Sequence, residues 1–180
     1  MSALPFEIPE TKPATEFIDG MLVQKMSPRG AHALAQGAFV QALRNWADAG
    51  GRGRVGTEWD FDLTPPGKAT NRLVPDVAYV SYERIPYEDD AAAQTPTVAP
   101  NVAVEILSPG QTVTNSQTRV EIFLNCGADL VILVDYERHF AVLHDGREPT
   151  RVERDRAIEH GSLPAFSMPL ERAFSNPKPR

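Results

Sequence analysis

The chain is predicted to fold as an α/β (α+β) protein: a mixed β-sheet flanked by helices, in the order helix, three strands, helix, strand, behind an N-terminal hairpin. Three observations predict it. Ala31, Leu34, Ala35, Ala38, Phe39, Ala42, Leu43 and Trp46 recur at spacings of three and four, the pattern of one helical face. Val55, Thr57, Trp59, Phe61 and Leu63 alternate with Gly56, Glu58, Asp60 and Asp62, the pattern of a strand with one buried and one polar face. Val102–Leu107 and Leu130–Val134 are almost continuously apolar, as central strands covered on both faces are.

Each element has its punctuation. Residues 1–14 are Pro-rich and are expected to be a flexible N-terminal segment. Phe17–Val23 reads as a hairpin closed at Asp19-Gly20, a dipeptide that accepts positive φ. Ser27-Pro28-Arg29-Gly30 opens the first helix and Gly50-Gly51 stops it. The Val55–Leu63 strand is followed by a loop at Thr64–Gly67. Leu73–Ser81 is the second strand, with Pro75 where no ladder donor is needed. Glu83–Pro100 is the longest loop. A helix is expected over about Thr114–Cys126, with Val120, Phe123 and Leu124 inward and Gly127 as its stop. Phe140–His144 is the hairpin partner of the central strand, and Leu163–Phe166 reads as a short strand before a tail at 171–180, leaving one domain over 15–170.

Composition narrows the function. The chain has 180 residues, 42% hydrophobic, enough for a single self-sufficient core. Its formal net charge is −6, which excludes a wholly basic nucleic-acid-coating protein but leaves room for a local basic patch, for which Arg52, Arg54, Lys68 and Arg72 are candidates. Cys126 is the only cysteine, so neither an intramolecular disulfide nor a cysteine-rich zinc site can form; it reads as a small buried filler, and Trp46 and Trp59 as core or interface anchors. The N-terminus has no basic start followed by an apolar run, and the longest aliphatic run is five residues, so a soluble, cytoplasmic protein without a membrane segment is expected.

Two acids stand out. Glu105 lies inside Val-Ala-Val-Glu-Ile-Leu, where an uncompensated carboxylate is costly; it is either a functional acid or a structural one paired with an arginine. Asp76 follows Pro75 at the entry of another apolar strand, and by itself reads as a strand-edge aspartate. Together, on adjacent strands, they could converge on a hard divalent cation such as Mg²⁺. Arg119, on the helix after the Glu105 strand, is the third residue of interest, with a solvated ion pair as its simpler reading.

Pro75-Asp76, Glu105-Ile106-Leu107-Ser108-Pro109, a helix, Gly127 and a strand ending Val134-Asp135 resemble the PD-(D/E)XK nuclease superfamily, and within it the restriction endonuclease family of the Uma-two type. Ile18-Asp19-Gly20, Met26-Ser27-Pro28, Gly30 and His32 fit that family's opening, and Leu163-Pro164-Ala165-Phe166 its close. The resemblance implies a restriction-endonuclease-like core and a Mg²⁺-dependent endonuclease acting on DNA, with Mn²⁺ as a possible substitute. It implies metal ligation by Asp76, Glu105 and the Ile106 carbonyl, and a catalytic place for Arg119. The superfamily lysine two residues after the glutamate is here Leu107, and the lysine that the family supplies from the next helix is here Arg119, which can hold a phosphate but cannot accept a proton. Glu58 and His32 are secondary candidates, Glu58 otherwise part of a solvated acidic face and His32 a capping or surface residue. Ser108 shapes the turn after the strand. A catalytically degenerate member serving in binding or assembly, and an acid–base pair acting on a sugar, are the alternative functions. An open strand edge makes a homodimer conceivable.

Overall fold

The computed structural model describes residues 11–27, 29–65 and 67–175, so the predicted flexible segment lies mostly outside the described residues. The chain runs β1 (Thr15–Ile18), β2 (Met21–Gln24), α1 (Gly30–Gly50), β3 (Gly53–Thr57), β4 (Phe61–Asp62), β5 (Arg72–Leu73), β6 (Val77–Ser81), β7 (Val102–Ile106), a 3-10 turn and α2 (Gln117–Asn125), β8 (Leu130–Asp135), β9 (Phe140–His144), β10 (Thr150–Glu153), β11 (Ala157–Ile158), β12 (Met168–Pro169) and a closing 3-10 turn. A six-stranded sheet in the order β10-β9-β8-β7-β6-β3 is the centre, mixed because β7 and β8 are parallel and the other pairs antiparallel. A four-stranded sheet, β2-β1-β5-β4, stands beside it.

Alternation along the central strands divides the core into two layers. On one face, Val77, Tyr79, Val102, Val104, Ile132 and Val134 meet Ala35, Phe39, Leu43 and Ala47 of α1. These four helix residues are spaced by four and fully buried, so truncating Phe39 to alanine should cost about 3–5 kcal/mol. Leu34, expected on that face, is instead 48% exposed. On the other face, Ala78, Val80, Ala103, Val131 and Leu133 meet Val120 and Phe123 of α2 together with Phe61, Leu63 and Leu73. Leu124 is only half-buried and Ile122 takes the inward place.

Glycine ends both helices. Gly51 adopts φ +58° and its N–H closes α1 on Ala47 and Asp48 carbonyls. Gly127 at φ +97° does the same beyond α2, where its N–H donates to Leu124 O.

Two expected strands are each divided. Val55–Leu63 is split into β3 and β4, and Leu73–Ser81 into β5 and β6, and in both cases the two pieces belong to different sheets. Thr57 pairs with Val77 and Phe61 with Leu73, so three unladdered residues lie on each side of the gap and Glu58 faces Asp76 across it. Pro75 interrupts the ladder on one side and Glu58, at φ +48°, on the other. The gap is where the antiparallel pair turns from the large sheet into the small one.

The predicted strand at Leu163–Phe166 is a turn, with Phe166 N–H donating to Leu163 O. Leu163 and Phe166 still reach the α1 core, as do Leu170 and Ala173 further on. The Glu83–Pro100 loop carries turns but no strand. Arg54 ties it down through the carbonyls of Ile85 and Tyr87 (3.0 and 2.6 Å), and Trp59 Nε1 donates to Ala93 O.

Candidate active site

The gap between the two sheets opens on a cavity of about 860 Å³ lined by the hairpin, the start of α1, the end of β7 and the start of α2. Asp76 sits in the gap, 1% exposed. Its Oδ2 accepts hydrogen bonds from Ile106 N–H (2.6 Å) and His32 Nε2 (3.2 Å), and its Oδ1 from Lys25 Nζ (2.7 Å). Burial opposes ionisation of this carboxyl, but the His32 hydrogen bond and the Lys25 and His32 charges outweigh it and hold Asp76 well below the usual carboxylate range.

Glu105 follows from its strand. It pairs with Leu133 of β8 and shares the α2 side of the sheet with Ala103. Arg119, on the first turn of α2, meets it there: Nη2 lies 2.5 Å from Glu105 Oε1, while Nη1 donates to Glu16 Oε2. The other Glu16 oxygen accepts from Val74 N–H (2.7 Å). Burial pushes the Glu105 carboxyl up to about 7, against the pull of Arg119 and with the repulsion of Asp76. Arg119, itself resisted by burial, is driven further above its ordinary value by the Glu105 and Glu16 charges.

The Ile106 main chain faces the Asp76 edge of β7, because its N–H binds Asp76 while the next amide, Leu107 N–H, turns the other way to Val134 O. N–H and C=O of one strand residue point to the same edge, so the Ile106 carbonyl also faces β6. Leu107 is buried apolar surface.

Glu58 is brought to the site and is not simply part of a solvated face. Its left-handed backbone turns its carboxylate to Gln36 Nε2 (3.1 Å) and Lys25 Nζ (3.5 Å). His32, expected at a cap or on the surface, is buried at 6% exposure. It and Gln36 are one turn apart on α1, and Gln36 also donates to Asp76 O (2.8 Å). Ser108 N–H donates to Gln111 Oε1 (2.8 Å) within the turn after β7.

Lys25, Glu16 and Gln36 were not singled out by the sequence. Lys25 follows β2, and its Nζ reaches Val74 O (2.8 Å) as well as Asp76. Burial lowers its affinity for a proton, but Asp76, Glu105 and Glu58 together raise it above the ordinary lysine value. Glu16, a carboxylate next to the apolar pair Phe17-Ile18, is 1% exposed.

The expected basic patch is not at this cavity. Arg52 stacks over Trp46 and donates to its carbonyl, Arg54 holds the long loop and Asp90, and Arg72 pairs with Asp60. The cations that line the cavity, among the described residues, are Lys12, Lys25 and Arg119. Among the described residues no three His, Cys, Asp or Glu side chains cluster as a preformed metal cage, and no helix is long and apolar enough to cross a membrane.

Comparison with known proteins gives the family and the fold. The Uma2 family model, described as "Putative restriction endonuclease", matches residues 2–171. The chain belongs to the Uma2 family. Its fold is that of a nuclease crystal structure from Anabaena variabilis ATCC 29413, described as a putative nuclease belonging to DUF820, with a TM-score of 0.77 at 24% identity over 92% of each chain. A DrdV–DNA complex, seen by cryo-electron microscopy, matches 65% of this chain and 10% of that one at 23% identity and a TM-score of 0.41. No curated protein matches. In this Uma2 protein Asp76, Glu105 and Arg119 line one cavity.

Proposed function

We propose that this Uma2 protein is a Mg²⁺-dependent nuclease that hydrolyses phosphodiester bonds in DNA. Family membership supports nuclease chemistry. One observation carries the residue assignment: the 2.6 Å hydrogen bond from Ile106 N–H to Asp76 Oδ2, which locks one buried acid to the main chain beside the other. Asp76, from the break just before β6, and Glu105, from the neighbouring β7, then offer hard oxygens, with the Ile106 carbonyl facing the same edge. Two carboxylates and a carbonyl suit Mg²⁺, which retains several waters.

A bound Mg²⁺ would polarise the scissile phosphate and acidify a coordinated water. The protein's own share is positioning. His32 and Ile106 N–H fix the Asp76 carboxylate, and Arg119 fixes Glu105 while presenting positive charge to an incoming phosphate at the cavity wall. The purified chain should nick or linearise plasmid DNA with Mg²⁺ or Mn²⁺ and not with EDTA, and Asp76→Ala and Glu105→Ala should abolish cleavage.

A second reading, a non-catalytic member that binds or assembles, draws on the pairing of both acids with cations, Asp76 with Lys25 and Glu105 with Arg119. Metal binding without cleavage by the wild type would favour it.

A further inference from the structure

Lys25 occupies a position that has the ligand chemistry of a cation site. Its ammonium lies 2.7 Å from Asp76 Oδ1, 2.8 Å from Val74 O and 3.5 Å from Glu58 Oε2. Two carboxylates and a carbonyl are the hard oxygens that a divalent cation takes. All three come from the gap between the sheets, where Glu58 and Asp76 face one another across the broken ladder. The placement of the lysine is itself enforced. Its main-chain N–H extends the hairpin ladder to Ala14 O (2.9 Å), and its side chain is 14% exposed. Two facing acids at one break need positive charge between them, and the hairpin delivers it covalently.

We infer that Lys25 is a resident substitute for a second divalent cation, filling the Val74–Asp76–Glu58 oxygen cage permanently, so that the protein works with one exchangeable metal ion. The count of one rests on the site proposed above at Asp76 and Glu105; the cage does not. Asp76 can serve both sides, because a carboxylate has about four lone-pair directions, enough for its three present donors and one ion. Gln36, bound to Glu58 Oε1 and to Asp76 O, braces the two acids around the ammonium.

The test is the stoichiometry of Mn²⁺ binding, followed by calorimetry and by electron paramagnetic resonance of free Mn²⁺. The wild type should bind one ion per chain and Lys25→Ala two, and Lys25→Ala combined with Glu58→Gln should return to one. One ion in both wild type and Lys25→Ala would overturn the inference. No ion in the wild type but one in Lys25→Ala would sink the Asp76–Glu105 site and leave the cage standing. No ion in either would overturn both. Should Lys25→Ala fail to fold, the wild type decides: amine-selective labelling read by mass spectrometry should find Lys25 equally protected with and without saturating Mn²⁺. Exposure of Lys25 on adding Mn²⁺ would mean that the metal evicts it, and the inference would fail.

Discussion

Glu58 and Asp76 face each other across the break where an antiparallel strand pair leaves the six-stranded sheet for the four-stranded one. Neither residue belongs to a ladder, so their carboxylates are free to turn to Lys25, and Asp76 also to the β7 main chain. The site exists because the sheet is interrupted there.

Asp76→Asn should destabilise the metal-free protein by about 3 kcal/mol, since it leaves a mostly buried ammonium facing only the half-exposed Glu58 and a carbonyl. Urea denaturation followed by circular dichroism measures this. An unchanged midpoint would show that the Lys25–Asp76 pair contributes nothing to the fold.

Stability should depend on pH through Glu105. Its folded carboxyl is raised from 4.5 to about 7, so the fold prefers the protonated form. Ionisation then weakens the fold progressively as pH climbs from about 4.5 to 7, by up to about 3 kcal/mol, and the loss is complete above that. Asp76 has the opposite sign: held low, its contribution is present above pH 3.8 and fades only as pH falls further. The stability difference between wild type and Glu105→Gln should therefore shift in favour of the glutamine variant between pH 5 and pH 8, as thermal melts in chelator would record. A constant difference would contradict the raised carboxyl.

His32→Ala should keep the fold and lower Mn²⁺ affinity by roughly 10–100-fold, because the imidazole orients the Asp76 carboxylate. Titration calorimetry supplies the number, and wild-type affinity in the variant would remove His32 from the site.

Arg119→Lys should retain cleavage, whereas Arg119→Ala should lose it and cost about 3 kcal/mol or more, because it strands two buried carboxylates, Glu16 and Glu105. Plasmid cleavage under one Mg²⁺ concentration, paired with melts of each protein, separates the catalytic effect from the structural one. Equal cleavage by all three proteins would leave Arg119 a structural clamp.

The layers of the fold were legible because they rest on local periodicity: the α1 face at 35, 39 and 43, and the continuous apolar runs of β7 and β8. The change of sheet at Glu58 was not, because the strand pair keeps its register through the break and the alternation continues undisturbed. Pro75 was the one visible mark of it. Asp76 and Glu105 showed themselves as acids in apolar strands, and Arg119 through the helix that follows. Lys25 gave no such sign. It follows a strand whose four residues are all exposed, and becomes buried only when the hairpin docks on residues about fifty positions later. The Glu16–Arg119 contact spans 103 residues and is likewise a product of tertiary packing.

The central claim is that Asp76 and Glu105 share one divalent cation. A crystal soaked in Mn²⁺ and measured for anomalous scattering tests it most directly. The account predicts a single strong peak between the two carboxylates, in contact with the Ile106 carbonyl, with Lys25 still on Asp76. A map without a peak there, at Mn²⁺ concentrations that support cleavage, would contradict it.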